Sequence, residues 1–336
     1  MTEAILLVGG KGTRLRPLTV HTPKPMVPAA GVDHIVLATS YLAEVFEPYF
    51  GDGSALGLHL EYVTEEEPLG TGGAIRNVAA ALGDDPDGAV VILNGDVLSG
   101  HDLRGQLADF QAPRAGRRVD VSLHLVPVAD PRAFGCVPTD ADGRVTAFLE
   151  KLENPPSNQI NAGCYIFRRN VIDTIPVGEV VSVERQTFPE LVASGALVVG
   201  FVEDAYWRDV GTPEALVAAS RDVVLGIAPT PAVDAVPSGA RIDPSATVGA
   251  AAVGEGSVVM AGARIADGAE VSGSVVMTDA VVEDGARVVD SVIGPGAVIG
   301  AKAEVVGAAV GDDARIGAGV TLPEGARVDC ADRVEA

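Results

Sequence analysis

The chain has 336 residues, of which 47% are hydrophobic, and a formal net charge of −22 at pH 7. This length suggests two domains with substantial cores, and the acidity argues against binding to nucleic acid or anionic membranes. No apolar run reaches the roughly 18 residues of a membrane span. The chain enters the apolar run "AILLV" at once, so we expect no signal peptide. Its three cysteines show neither disulfide-framework nor metal-site spacing, which favours a reducing cytoplasm.

The first two-thirds of the chain alternates strand-like and helix-like segments. The predicted strands are Ala4–Val8, Ile35–Thr39, Leu58–Val63, Ala89–Leu93, Asp120–Val128 and Cys164–Phe167. The predicted helices are Gly72–Leu82, Asp102–Phe110, Arg185–Ala193 and Pro213–Leu225. This alternation predicts a Rossmann-like α/β domain with a mixed, mainly parallel sheet covered on both faces. Ligands of such sheets bind beyond the carboxyl ends of the strands.

A different pattern begins after a proline-containing linker. Branched apolar residues recur there mostly every six residues, and two sets recur every seventeen: Val271, Val288, Val305 and Leu322, and Ile265, Val282, Ile299 and Ile316. A fixed period indicates a solenoid, and three sides per coil predict a parallel β-helix of triangular section. An Ala/Gly-rich sandwich would not explain a repeat held over five turns. We therefore predict domains at 1–225 and 239–336, joined by a linker at 226–238.

The stretch "LLVGGKGTRLRPLTVHTPKPM" departs from the acidity of the chain. Residues 4–32 contain no Asp or Glu but four cations, among them Arg14 and Lys24. Glycines directly after a strand permit close backbone approach and can form an anion nest. Arg14 can fork onto phosphate oxygens, and the prolines on either side of Lys24 hold it on a stiff segment. We predict a phosphate site here, with a solvated basic turn as the alternative; neither the GxGxxG nor the Walker A pattern is present.

This stretch also begins a series of motifs in a fixed order. They are "GGKGTRLRPLT" with "PKPM", "EEEPLGTGGA" at 65–74, "NGD" at 94–96, "FG" at 134–135, "EK" at 150–151, "NAG" at 161–163 and "WRDVGTPE" at 207–214. Together they resemble the signature of sugar-nucleotide pyrophosphorylases, and most closely that of the mannose-1-phosphate guanylyltransferase branch. The repeat region resembles the left-handed β-helix of hexapeptide-repeat proteins. The resemblance implies a Mg²⁺-assisted transfer of a nucleotidyl group from GTP to mannose 1-phosphate.

The resemblance also implies roles for individual residues. Arg14 and Lys24 would be catalytic, and Asp96 and Asp209 would bind Mg²⁺. The implied nucleotide-binding residues are Gly9, Gly10, Gly12, Thr13, Glu65, Gly70, Thr71, Gly72, Asn94 and Gly95. The implied sugar-phosphate-binding residues are Gly135, Glu150, Lys151, Asn161 and Gly163.

Each of these assignments has an ordinary structural alternative. Asp96 and Asp209 would be surface caps or turns, Glu150–Lys151 an exposed ion pair, and "LGTGGA" a common helix start. Gly163 would be a turn at the start of a strand. The run Glu65–Glu67 would be a solvated turn, although one of its carboxylates could accept the two donors on the edge of guanine.

Three other functions are weighed against this one. An acyltransferase would commonly use a histidine near the coils, and none of the five histidines lies in the repeat region. A non-catalytic regulatory paralogue would be expected to lose Arg14, Lys24 or the aspartates. The same reaction with another nucleotide or sugar, giving dTDP-glucose or a UDP- or ADP-sugar, stays open. The flat sides of the β-helix predict a homo-oligomer, a dimer or larger.

The connection between the first two strands is short. These strands should be parallel and joined by a crossover helix, and members of the family carry a helix at this point. The sequence "VPAAGVDHIV" has none, so we predict that a segment is omitted near Ala29–Gly31. A true deletion at this place is the alternative.

Overall fold

The computed structural model describes residues 3–8, 34–39, 43–149, 152–230, 234–237 and 239–335. The described residues form two compact units. Those before Leu98 and those in His101–Trp207 make the first unit, and Leu98–Gly100 with the chain from Arg208 onward make the second. The boundaries predicted at 225 and 239 stay a prediction. The segment predicted to be omitted near Ala29–Gly31 lies outside the described residues.

A seven-stranded sheet forms the centre of the first unit. In chain order the strands are β1 Glu3–Leu7, β2 His34–Thr39, β3 His59–Thr64, β4 Ala89–Asn94, β5 Val97–Ser99, β6 Val121–Pro127, β7 Gln159–Arg168, β8 Val198–Val202 and β9 Trp207–Asp209. The sheet order is β3-β2-β1-β4-β7-β6-β8, while β5 and β9 form a separate two-stranded sheet. β7 runs antiparallel to β4 and β6, and the other described pairs of the large sheet are parallel. The predicted mixed, mainly parallel sheet is confirmed.

Along the chain, helices lie between these strands, and a last helix follows β9. They are α1 Ala43–Phe50, α2 Gly70–Asn77, α3 Leu103–Gln111, α4 Arg169–Ile172, α5 Phe188–Ala193 and α6 Pro213–Val224. The helix predicted over 72–82 is α2 continued by a 3₁₀ turn at Val78–Ala81, and the one over 185–193 is a π turn at Val183–Thr187 followed by α5. Our prediction missed α1, because Pro48 within it is typical of a helix end.

Apolar side chains cover both faces of the sheet. One core contains Ile5, Ile75 and Phe188. The other contains Leu6 and residues of α1 and α3, such as Phe46 and Phe110. Successive residues of a strand point to opposite faces, so a strand buried on both faces is apolar throughout, as β1 is. The layers are therefore helix, sheet and helix, with the carboxyl ends of β1 and β4 at one edge.

The first two strands pair as predicted, while the connection between them lies outside the described residues. β1 and β2 are adjacent and parallel, with Glu3 opposite His34 and Leu7 opposite Ala38. β7, by contrast, begins at Gln159 and not at Cys164 as predicted. Gly163 lies inside this strand, so the alternative in which it forms a turn at the strand start does not hold.

Short strands that begin every five or six residues make up most of the second unit. They are β10 Arg241–Ile242, β11 Thr247–Val248, β12 Ala252–Val253, β13 Val258–Val259, β14 Arg264–Ile265, β15 Glu270–Ser272, β16 Val275–Val276, β17 Val281–Val282, β18 Arg287–Val289, β19 Val292–Ile293, β20 Val298–Ile299, β21 Glu304–Val306, β22 Ala309–Val310, β23 Arg315–Ile316, β24 Thr321–Leu322, β25 Arg327–Val328 and β26 Arg333–Val334. They form three sheets of six, six and five strands. Every third strand therefore belongs to the same sheet.

The register of these sheets gives the length of one coil. Neighbouring strands are parallel, and partner residues such as Val258 and Val275 are 17 positions apart. The step is 18 in three pairs of strands, for example between Ala252 and Glu270. The inner residues stack from coil to coil, and Val271, Val288 and Val305 are all fully buried. The predicted solenoid is confirmed, and three parallel sheets are consistent with a left-handed β-helix.

A ladder of buried serines runs inside the solenoid. Ser257, Ser274 and Ser291 are 17 residues apart and fully buried. The Ser274 hydroxyl donates to the carbonyl of Ser272 at 2.8 Å and accepts from the backbone N–H of Ser291 at 3.1 Å. The Ser291 hydroxyl accepts from the N–H of Ala308 at 3.0 Å. The hydroxyls thus satisfy backbone groups that burial would otherwise leave unpaired.

The last helix of the α/β sequence pattern packs within the second unit. Thr212 caps α6 by accepting from the N–H of Ala215 at 3.2 Å, as its sequence predicts. Val217 of α6 shares a small apolar core with Val275 and Val292 of the solenoid. These contacts explain why the compact units divide before α6.

A polar cluster is buried beneath β6 in the first unit. His124 is fully buried, its ring stacks on that of His101, and its Nε2 lies 3.0 Å from Glu203 Oε1. Glu203 is also paired with His101, whose Nε2 lies 2.7 Å from Gln106 Oε1. Burial lowers the pKa of His124 to about 3, and the nearby His101 adds to this effect. His124 is therefore neutral in the folded protein at neutral pH.

This cluster predicts acid-sensitive stability. Since an unfolded histidine has a pKa near 6.5, the unfolded state binds more protons below that pH than the folded state does. The free energy of unfolding should fall between about pH 6.5 and pH 3, by up to about 1.4 kcal/mol per pH unit from this residue. Urea unfolding at several pH values should show a shallower dependence in His124→Phe but not in His59→Gln, a change at an exposed histidine. Equal dependence in the parent and His124→Phe would contradict this assignment.

Candidate active site

The structure describes part of the predicted site. Gly9, Gly10, Gly12, Thr13, Arg14, Lys24, Glu150 and Lys151 lie outside the described residues, and their roles stay predictions. Most of the other candidates lie at the carboxyl edge of the sheet in the first unit. Asp209 belongs to the second unit.

The carboxyl ends of β4 and β1 are in direct contact. The N–H of Gly95 donates to the carbonyl of Leu7 at 3.0 Å. A Cβ atom on Gly95 would lie 2.9 Å from that oxygen and 2.8 Å from Cγ1 of Val8. Only glycine fits this contact, which fixes the flanking Asn94 and Asp96 beside the end of β1. The glycine-rich stretch follows Val8 directly in the sequence.

An irregularity in β7 brings the "NAG" motif to Asn94. Leu125 of β6 is opposite Asn161, whereas Leu123 is opposite Tyr165, so β7 contains extra residues between these pairs. Such a bulge bends a strand and re-aims its side chains. Gly163 lies in the bulge with φ +81°, and a Cβ there would lie 3.0 Å from Nδ2 of Asn94. The bulge thus places candidate nucleotide and sugar residues in contact.

A hydrogen-bond network joins this bulge to the start of α2. Asn161 Nδ2 donates to the Tyr165 hydroxyl at 3.0 Å, and that hydroxyl donates to Glu184 Oε1 at 3.3 Å. The Thr71 hydroxyl donates to Glu184 Oε2 at 3.1 Å and accepts from the N–H of Val183 at 2.9 Å. Burial, reinforced by the charge of Glu184, raises the pKa of Tyr165 well above its usual value, so this hydroxyl remains a donor. Our sequence analysis missed both Tyr165 and Glu184.

The glycines of "LGTGG" pack against the backbone of residues 179–181. A Cβ on Gly70, whose φ is +73°, would lie 2.6 Å from the carbonyl oxygen of Val181. The N–H groups of Gly72 and Gly73 donate to that same oxygen, at 2.8 and 3.3 Å. Because these donors are already used, close packing accounts for Gly72. A nucleotide contact by Gly70, Thr71 or Gly72 stays a prediction.

The three glutamates after β3 differ in their surroundings. Glu66 and Glu67 are exposed, whereas Glu65 is half-buried. Glu65 Oε2 accepts from the N–H of Leu69 at 3.4 Å, while Oε1 is buried without a hydrogen-bond partner among the described residues. Burial raises the pKa of Glu65. Glu65 therefore has a buried acceptor oxygen without a hydrogen-bond partner among the described residues. The side chains of Glu66 and Glu67 are instead exposed to solvent.

Two aromatic rings lie next to the bulge. Trp207 Nε1 donates to the carbonyl of Ala162 at 2.9 Å, and the Phe134 ring meets the Trp207 ring edge-on with centroids 5.3 Å apart. Phe134 is 44% exposed. Gly135, with φ +80°, follows it and donates its N–H to the carbonyl of Pro131. The "FG" motif therefore lies beside "NAG", and sugar binding by Gly135 stays a prediction.

The two candidate metal ligands have carboxylate oxygens, which are the ligands that Mg²⁺ prefers. Asp96 follows Gly95, and Asp209 ends β9, which pairs with β5. They belong to different compact units, so their joint binding of a metal stays a proposal.

Comparison with known proteins assigns the class. Residues 3–224 match the Nucleotidyl transferase family, and residues 237–332 match the GMPPB C-terminal domain. The chain belongs to the nucleotidyl transferase family, whose members generally use a divalent metal ion. Within the described ranges, no helix is both long enough and apolar enough to cross a membrane.

Particular relatives narrow the class. The chain is 55% identical over 275 residues to a mannose-1-phosphate guanylyltransferase of Mycobacterium tuberculosis, covering 75% of each chain. It is 37% identical over 227 residues to a D-glycero-alpha-D-manno-heptose 1-phosphate guanylyltransferase of Aneurinibacillus thermoaerophilus, covering 63% of this chain and 94% of the relative. The crystal structure of HddC from Yersinia pseudotuberculosis complexed with GMP-PN is similar, with 27% sequence identity and a TM-score of 0.54. The match covers 65% of this chain and 98% of the HddC chain. The resemblance predicted from the motifs is confirmed.

Proposed function

We propose that the protein transfers a guanylyl group from GTP to mannose 1-phosphate, which gives GDP-mannose and pyrophosphate. The observation that carries this proposal is the 55% identity to a mannose-1-phosphate guanylyltransferase over three-quarters of both chains. The unused acceptor of Glu65 supports a guanine base. The reaction would occur in the cytoplasm in a homo-oligomer, and both of these points rest on the sequence.

The reaction needs charge and position more than covalent chemistry. An oxygen of mannose 1-phosphate attacks the α-phosphorus of GTP in line, and the bond from that phosphorus to the bridging oxygen breaks. Pyrophosphate leaves with the electron pair, and no residue becomes covalently attached. Lys24 would bridge the α-phosphate and the attacking phosphate, and Arg14 would hold the pyrophosphate. The purely cationic stretch of an otherwise acidic chain suits this convergence of anions.

The remaining candidates would position the substrates. Asp96 and Asp209 would hold Mg²⁺, which when bound neutralises part of the phosphate charge. Lys151 would bind the sugar phosphate and Glu150 the sugar hydroxyls. Asn161, Gly163 and Gly135 would line the sugar pocket, with Asn161 oriented by its hydrogen bond to Tyr165.

Glu65 makes the base preference testable. An ionised carboxylate can accept the N1–H and N2–H of guanine, whereas adenine lacks this donor pair. In Glu65→Gln, kcat/KM for GTP should fall about 5–150-fold, the effect of 1–3 kcal/mol for a lost buried partner, while the value for ATP stays constant. Glu66→Gln and Glu67→Gln are matched controls at exposed positions and should keep the parental preference.

The outcomes separate two claims. Equal kcat/KM for GTP and ATP in the parent would contradict the guanine assignment itself. An unchanged preference in Glu65→Gln would remove only the carboxylate explanation. A panel of four triphosphates also tests the dTDP-, UDP- and ADP-sugar alternatives.

The sugar has one specific rival. The heptose 1-phosphate guanylyltransferase is matched over nearly its whole length, so a manno-configured heptose 1-phosphate is the second candidate acceptor. Product formation from GTP with mannose 1-phosphate, glucose 1-phosphate and the heptose 1-phosphate should favour mannose 1-phosphate. A higher kcat/KM for the heptose would reassign the acceptor and leave the guanylyl transfer intact.

A further inference from the structure

A second polar cluster lies at the amino-terminal edge of the large sheet. Glu3, His34 and His59 are the first residues of β1, β2 and β3, and the strand register sets them side by side. Glu61, two residues further along β3, lies next to His34. The proposed transfer reaction uses the carboxyl edge of the same parallel strands, so it leaves this cluster without a role.

The ring of His34 is oriented like that of a metal ligand. Its side chain is 9% exposed, and its Nδ1 lies 3.1 Å from Glu3 Oε1. Both oxygens of Glu3 also accept from the N–H of Gly83 at 3.0 Å, which holds the carboxylate in place. When Nδ1–H donates to a carboxylate, the lone pair of the neutral ring is on Nε2. A carboxylate behind the ring is the usual second partner of a metal-binding histidine.

The other ring nitrogen of His34, Nε2, lies close to a carboxylate oxygen without forming a hydrogen bond. Nε2 is buried and has no hydrogen-bond partner in the part of the chain that the structure describes. Glu61 Oε1 lies 3.2 Å from Nε2, outside hydrogen-bond geometry. A lone pair and a carboxylate oxygen at this distance repel each other unless a cation is shared between them.

His59 supplies a third ligand atom. Its Nδ1 lies 4.0 Å from Glu61 Oε1, and its ring stacks on that of His34 with centroids 4.9 Å apart. The ligand atoms of His34, His59 and Glu61 all lie within 4.8 Å of one another. Bonds of about 2.1 Å in a tetrahedral zinc site separate the ligand atoms by roughly 3.4 Å. The distances of 3.2 and 4.0 Å bracket that value.

We propose that His34, His59 and Glu61 bind a divalent transition metal ion of the zinc type, with Glu3 positioning His34 and water in the fourth place. Two imidazole ligands select against Mg²⁺, which prefers oxygen. His59 is 64% exposed at its side chain, so the ion enters from solvent. The bound ion ties the edge strand β3 to β2 and stabilises this edge of the sheet.

The second histidine cluster fits a metal less well. Both ring nitrogens of His101 already have hydrogen-bond partners, namely Glu203 and Gln106. His101 and Glu203 are already paired with each other and with Gln106 and Asp102, which leaves the fully buried His124 as the member of this cluster whose ring nitrogens lack a hydrogen-bond partner among the described residues.

The test is Zn²⁺ binding to the full chain, measured by competition with a chromophoric chelator in excess Mg²⁺. We expect one Zn²⁺ per chain in the parent and at least about tenfold weaker binding in His59→Ala and Glu61→Gln. Glu3→Gln should weaken binding about 10–100-fold through His34. Glu47→Gln, at an exposed position of α1, is the matched control and should bind like the parent.

Two further readouts distinguish this site from adventitious binding. Co²⁺ should give the visible absorption of a tetrahedral site in the parent but not in His59→Ala. Zn²⁺ should raise the Tm of the parent by a few degrees and leave that of His59→Ala unchanged. Binding that is absent in the parent, or equally tight in His59→Ala, or lost in His124→Phe instead, would overturn the proposal.

Discussion

Replacing Arg14 or Lys24 by alanine is expected to lower kcat by roughly 10²–10³-fold, the usual cost of losing one preorganised charge donor. Both residues lie in the stretch without Asp or Glu, and the chain as a whole carries a net charge of −22. Negative phosphates cannot converge against such a surface unless the charge is reversed locally. Each cation would stabilise charge that develops on a different group, Lys24 at the attacked phosphate and Arg14 at the departing one.

Arg16→Ala is the matched control, because Arg16 is a cation of the same stretch without an assigned contact. It should keep kcat within a few-fold of the parent. The measurement is initial rate at saturating GTP and mannose 1-phosphate, with folding checked by circular dichroism. If both Arg14→Ala and Lys24→Ala remain within about threefold of the parent, the phosphate roles are wrong.

Gly95→Ala is expected to reduce kcat/KM by about 10–10²-fold without removing any functional group. The added methyl would meet the Leu7 carbonyl at 2.9 Å and the Val8 side chain at 2.8 Å. The end of β4 must then move away from β1, and Asn94 and Asp96 move with it. Misplacement of reacting groups by about 1 Å can cost 10²-fold in rate.

Gly116→Ala is the control that separates the displacement of β4 from the backbone strain of placing alanine at a positive φ. Gly116 also has a positive φ, +78°, but a Cβ there has no atom within 4 Å. It should lower the Tm slightly and leave kcat/KM at the parental value. Parental kcat/KM in Gly95→Ala would show that the contact between β4 and β1 does not position the site.

The fold was largely predictable because its signals are local. The strands of the parallel sheet are short apolar runs, since burial on both faces removes polar residues from them. The coils repeat every 17 residues, which a single sequence displays directly. α1 was missed because Pro48 argues against a helix there, although Phe46 supplies an apolar residue for its buried face. β7 was predicted too short because Asn161 and Gly163 are typical of turns, and only the pairing with β6 reveals a bulge.

The residues of the candidate site that belong to short motifs were predictable. The residues that join the site through contacts between distant parts of the chain were not. Asn94, Gly95 and Asn161 stand in short motifs, and the structure brings them to one edge. The hydrogen bond between Thr71 and Glu184 joins residues 113 positions apart, so no local pattern indicates it. Glu65 likewise differs from Glu66 and Glu67 only in its burial, and three consecutive identical residues do not indicate which of them is buried.

The nearly constant step between coils, 17 or 18 residues, restricts how the second unit can change in length. Loss or gain of one residue within a strand would turn its inward side chains outward. Loss of a whole coil, for example residues 276–292, would join Val275 to Ile293, which already follows Val292 at the equivalent place. The valine stack would continue across that junction, and Ser274 would face the N–H of Ala308 as Ser291 does now. Each coil adds to a solenoid through its nearest neighbours alone, so this unit is modular. Variants that lose or gain whole coils should fold, and single-residue changes should be confined to the turns, as in the 18-residue steps already present.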